Sequence, residues 1–112
     1  MAKKYRTIFS RLAEEDLIEL IDYHYSVNPE FSQKLLLTME SRVDELKDLP
    51  ERGWIVPELE KQNIVDFREL IEGNYRIVYA IQEKNVVIHT IIDARRNFAD
   101  LIIRKLMRLH SR

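Results

Sequence analysis

Ionisable groups set inside apolar, strand-like sequence are the residues best placed to do chemistry. Arg68 lies between Phe67 and Leu70, Arg76 between Tyr75 and Ile77, and His89 within VVIHTII. A charge left unpaired inside a protein is costly, so a strand arginine either faces water or meets an acid. Alternation places Arg76 on the face opposite Tyr75, Ile77 and Tyr79. If those three pack on helices, Arg76 lies on the open, concave side of a sheet. With Arg68 on a neighbouring strand it can grip a phosphate through paired N–H donors, and His89 can serve as general acid or base. The plainer alternatives are an ion pair of Arg76 with Asp93 or Glu69, and a half-exposed histidine without a role.

Other chemistries are excluded by what the chain lacks. Gly53 and Gly73 are its only glycines, so there is no glycine-rich phosphate loop. There is no HExxH, and His24, His89 and His110 are spread over separate segments, so neither a metal nor a cofactor is expected. No serine has a nucleophile-elbow setting. Cysteine is absent, which removes thiolates and disulfides and fits a reducing compartment.

A second functional feature lies near the C-terminus. Phe98, Ile102, Leu106 and Leu109 recur at helical spacing beside Ile103 and Met107, a stripe wide enough to serve a partner as well as the core. Arg95, Arg96, Arg104, Lys105 and Arg108 flank it as a basic patch that can steer an acidic peptide. Alternatives are a helix folded back on its own sheet, or a homodimer contact.

The elements that must position these residues follow from periodicity. Tyr5–Phe9 reads as a short strand. Ser10 is an N-cap for a helix over about Arg11–Tyr25, with Glu14, Glu15 and Asp16 in its first turns. Asn28-Pro29-Glu30 restarts a helix that keeps an apolar face through Leu49, until Pro50 and Gly53 stop it. The two should form an antiparallel hairpin. Ile64–Ile71, Tyr75–Ile81 and Val86–Ile92 then alternate as strands of an antiparallel meander. Asn97 and Asp100 open a last helix running to about His110. The order β-α-α-β-β-β-α describes one α+β domain over residues 1–112, with an antiparallel sheet packed on the helical hairpin.

Composition agrees. Apolar residues are 46 % of 112, enough for one core. No apolar run approaches the ~20 residues of a membrane span, and no signal-peptide pattern opens the chain, so a soluble cytoplasmic domain is expected. The formal net charge of −1 hides an asymmetry: Lys3, Lys4, Arg6 and Arg11 open the chain, thirteen acids against four bases fill residues 13–60, and the end is basic again. A protein that grips nucleic acid over a wide area is usually more basic.

Four strings in order resemble the toxins of ParE/RelE-type toxin–antitoxin modules, the family that includes plasmid stabilisation proteins: FSRLAEEDLIELIDYHY, LKDLPERGWIVPEL, FRELIEGNYRIVYAI and VVIHTIIDARRNFADLI. The resemblance covers about Tyr5 to Leu106. The resemblance implies the family's α+β toxin fold with a C-terminal helix, and a cognate antitoxin as partner, in a heterotetramer or as a toxin homodimer. Phe98, Ile102, Ile103, Leu106 and Met107 would bind the antitoxin.

Two activities occur in the family. RelE-like members cut mRNA on the ribosome with basic strand residues and no metal, for which Arg68, Arg76 and His89 would be catalytic. ParE-like members poison DNA gyrase. The first-helix string, the long helical hairpin and L-x-x-L-P-x-x-G resemble the ParE branch. The family's frequent histidine after the last strand is Asp93 here, and the Phe67 strand has no lysine, both unlike a RelE-like nuclease. A gyrase-poisoning toxin is therefore the leading expectation. A ribosome-dependent endoribonuclease is its rival, and a non-toxic antitoxin-binding member, suggested by the pI near 6.3, is a third reading.

Overall fold

The structure is a computed structural model that describes residues 4–95, 100 and 103–106. Strand β1 (Arg6–Phe9) leads into helices α1 (Arg11–Val27) and α2 (Pro29–Glu45). A short strand β2 (Trp54–Ile55) and a single turn of helix α3 (Pro57–Glu60) precede β3 (Phe67–Glu72), β4 (Tyr75–Gln82) and β5 (Asn85–Asp93). Asp100 and residues 103–106 are helical. The rest of the expected last helix, with Phe98, Ile102 and Met107, lies outside the described residues.

Local chemistry sets the hairpin. The Ser10 hydroxyl accepts from the Ala13 amide, an N-cap worth roughly 0.5–2 kcal/mol, and donates to the His89 carbonyl, tying α1 to β5. Asn28 closes one helix and opens the next: its amide donates to the His24 carbonyl at 2.7 Å and its side chain accepts from Phe31. That double cap lets α1 run to Val27, past the expected Tyr25. Helix α2 ends at Glu45 rather than Leu49, because residues 46–48 already turn.

The five strands stand in the order β1-β5-β4-β3-β2. Strands β2 to β5 are antiparallel neighbours, as the meander required, but β1 joins β5 in parallel. The helical hairpin carries the chain away from β1, and the meander returns beside it running in the same direction. One face of the sheet packs under the hairpin, where Ala13, Leu35, Met39, Leu46, Ile77 and Tyr79 are buried. Of these, Leu35, Met39, Leu46 and Ile77 each contribute about 1.5–3 kcal/mol of apolar burial.

The opposite face is not open, which corrects the expectation for Arg76. Val56, Leu59, Phe67, Val78, Ile92 and Leu106 form a second cluster there, built from α3, the sheet and the helical residues 103–106. Two-residue β2 and four-residue α3 are too short to show a period in sequence, so this cover leaves no periodic signal. No described helix is long and apolar enough to cross a membrane.

Candidate functional site

Arg76 sits on β4 on the second face, with its side chain 12 % exposed. Its Nε and Nη2 donate to Glu69 at 2.6 and 2.8 Å, and its Nη1 and Nη2 donate to Glu58 at 3.0 and 2.9 Å. Two carboxylates thus occupy the fork that would grip a phosphate. Glu69 is 2 % exposed and also accepts from the Trp54 indole N–H at 2.6 Å. Burial works to raise the Glu58 carboxyl, yet the hydrogen bonds and charge of Arg76 outweigh it and hold the group below its ordinary range. Burial likewise opposes the Arg76 charge, and the two glutamates overcome it. The cluster clamps β2 and α3 onto the sheet. Glu69 is one of the two acids, with Asp93, that the plain alternative names; Glu58 is a partner it does not include.

Arg68 lies on the other face. It is paired across the hairpin with Tyr79, whose side chain is buried under the helices. Its guanidinium donates to the Gly53 carbonyl at 2.7 Å and meets the Glu51 carboxylate at 3.5 Å. The Tyr79 hydroxyl donates to the Pro50 carbonyl and accepts from the Gly53 amide, which holds residues 50–53 against the sheet. Gly53 is required there, because a Cβ would come 2.3 Å from the Glu69 carbonyl oxygen. Arg68 and Arg76 therefore do not meet on one surface.

His89 stands at the bulge of β5 against β4 and packs edge-on against Phe67, with ring centroids 5.3 Å apart. Burial lowers its pKa and favours the neutral ring, and among the described residues its Nε2 has no hydrogen-bond partner. Along β5 it is three residues from Ile92, the strand partner of Arg76, a separation of roughly 10 Å.

The C-terminal residues divide. Leu106 is 1 % exposed within the second cluster, and Ile103 packs partly against it, so the chain's own sheet takes up this side of the stripe. In the basic patch, Arg95 pairs with Asp93 at 2.8 Å. Arg104 pairs with Asp100 at 3.5 Å and Lys105 with Asp16 at 3.3 Å. Each described cation of the patch already meets an acid of its own chain; Arg96 and Arg108 lie outside the described residues.

Asp16 is a positioning residue that periodicity alone did not single out. One carboxylate oxygen accepts from the Ile91 amide at 3.1 Å and from the Thr90 hydroxyl, while the other meets Lys105. It joins α1, the edge of β5 and the helical residues 103–106. The signal was available: Asp16 falls in the inward register of α1, between Ala13 and Leu20.

The family model for the ParE toxin of type II toxin–antitoxin system, parDE, matches residues 7–98. The fold is similar to a chain of the chromosomal ParDE toxin–antitoxin system from P. aeruginosa, with a TM-score of 0.64 and 21 % identity, covering 82 % of this chain and 98 % of that one. It is also similar to a chain of the RelBE2 toxin–antitoxin complex from Mycobacterium tuberculosis, with a TM-score of 0.57 and 22 % identity, covering 83 % and 93 %. None of the curated proteins matches the chain.

Proposed function

Because the chain belongs to the ParE toxin family of type II toxin–antitoxin systems, we propose that it arrests growth by binding and poisoning DNA gyrase in the cytoplasm, and that a cognate antitoxin neutralises it. The observation that supports this reading over a ribonuclease is the fate of the three catalytic candidates. In-line cleavage of RNA needs cations converging on one phosphate, with an acid and a base beside them. Arg76 is saturated by Glu58 and Glu69, and Arg68 is tied to Gly53 and Glu51 on the opposite face. His89 is packed against Phe67. A gyrase poison has no such requirement, since it acts through a protein surface.

The test is expression of the chain alone and together with its neighbouring gene product. Gyrase poisoning gives growth arrest with DNA-damage signalling and double-strand breaks, relieved by the neighbour. Rapid loss of mRNA with translation arrest would instead favour the RelE-like alternative, and normal growth would favour a non-toxic antitoxin binder.

A further inference from the structure

The helical hairpin turns one side to the sheet and the other to solvent, and the solvent side is not uniformly polar. Ile18 is 61 % exposed, Tyr25 55 % and Leu37 66 %. Ile18 and Tyr25 are seven residues apart on α1, so they share one stripe. Leu37 stands two residues from both Leu35 and Met39, which are buried, so the helix turns it to the opposite side. The two helices meet where the Ser32 hydroxyl donates to the Ile21 carbonyl at 2.7 Å. From that point Ile18 lies about 4.5 Å along α1 and Leu37 about 7.5 Å along α2, both away from the Asn28 turn. They are therefore within one turn of the same level.

The charge around these side chains has one sign. Residues 11–45 hold nine acids against Arg11, Lys34 and Arg42. Glu15 meets Arg11, Asp16 meets Lys105, Asp44 meets Lys47, and Glu45 meets Arg42 and Arg52. Glu14, Glu19, Asp22, Glu30 and Glu40 are exposed and have no ion pair among the described residues. Glu14 and Asp22 each stand one turn from Ile18, and Glu40 stands one turn from Leu37. Among the described residues Lys34 is the one hairpin cation without an acid.

We infer that the solvent side of the helical hairpin docks a basic, amphipathic helix of a protein partner. Such a helix covers Ile18, Tyr25 and Leu37 with its apolar stripe and brings its lysines and arginines to Glu14, Asp22 and Glu40. The unpaired acids oppose the other occupants of an exposed apolar face. Nucleic acid and anionic lipid carry the same sign of charge. A second copy laid on by a two-fold axis would bring the same acids against themselves. The surface does not depend on whether gyrase is the target of the chain.

The probe is the amphipathic peptide LKKLLKLLKKLLKL, titrated into the full chain while its amide resonances are followed. Saturable shifts should centre on Ile18, Asp22 and Leu37 and spare Val78 on the far face of the sheet. The same peptide with glutamate for every lysine should move none of them. Ile18→Ala with Leu37→Ala should weaken binding about tenfold through lost apolar contact and leave its salt dependence as it was. Asp22→Asn with Glu40→Gln should weaken it several-fold and flatten the salt dependence. All four side chains are exposed, so both variants should keep the wild-type dispersion of resonances. Binding left unchanged by either pair, shifts centred away from the hairpin, or equal binding of the glutamate peptide would overturn the inference. So would a concentration-dependent dimer that the alanine pair dissolves, because that assigns the face to a second copy.

Discussion

Arg68 and Arg76 lie on adjacent strands of one hairpin and face opposite sides of the sheet. The β3–β4 register pairs Arg68 with Tyr79 and Arg76 with Ile71. Arg68 therefore shares the face of the helical hairpin, and Arg76 shares the face of α3. Each is tied down by different partners, so the two arginines are parts of two structural clamps and their substitution should act first on stability.

Replacing Arg76 with Ala leaves Glu58 and the deeply buried Glu69 beside an empty space. The expected loss is about 3 kcal/mol or more, read as a lower midpoint of urea unfolding. Adding Glu58→Gln to that variant should recover part of the loss, since one stranded charge is removed. An Arg76→Ala protein as stable as wild type would show that the clamp contributes nothing.

Acid sensitivity should come in two separate windows. The folded state holds His89 below its ordinary pKa of 6.5. The unfolded chain therefore binds the proton first, and stability should fall as pH drops below about 6.5 until the folded ring also protonates. Glu58 is held below 4.5. Its contribution is complete above that value and is lost as pH falls through the folded pKa. Stability profiles of His89→Leu and Glu58→Gln should each lack one step, the upper and the lower respectively. Identical profiles for wild type and both variants would contradict the assignment.

Gly53→Ala should destabilise the chain by about 1–3 kcal/mol, because the added methyl meets the Glu69 carbonyl oxygen at 2.3 Å and the Tyr79 hydroxyl at 2.8 Å. Trp54, the only tryptophan, is the next residue and reports the shift directly. Its fluorescence should move if the indole leaves Glu69.

Asp16→Ala should free the Ile91 amide and Thr90 hydroxyl at a strand edge and strand Lys105. A loss of about 1–3 kcal/mol is expected, with hydrogen exchange accelerated at Ile91 more than at Ile77 in the middle of the sheet. Uniform acceleration across both would mean that Asp16 acts on global stability alone.

What the sequence disclosed was what short-range chemistry decides. Ser10 and Asn28-Pro29 mark helix starts because side-chain caps and a preset proline φ act within a few residues. The alternation of Tyr75, Ile77 and Tyr79 identified the buried face under the hairpin. Parallel addition of β1 to β5 joins residues far apart in the chain and leaves no local trace. Trp54–Ile55 and Pro57–Glu60 are too short for a period, so the partner Glu58 and the cover over Arg76 were hidden with them. The opposed arginines were within reach. The turn at Gly73-Asn74, with Gly73 at φ 58°, fixes the register that places Arg68 beside Tyr79, a face already assigned to the core. Of the C-terminal stripe, Leu106 is taken by the chain's own sheet, with Ile103 packed partly against the same cluster.

The most direct test of the central claim is a cleavage assay with purified chain, DNA gyrase, supercoiled plasmid and ATP. Protease treatment in detergent should release linear DNA in proportion to the chain added, and prior mixing with the antitoxin should prevent it. A chain that leaves gyrase turnover untouched, and instead cuts mRNA in a programmed ribosome, would contradict the account.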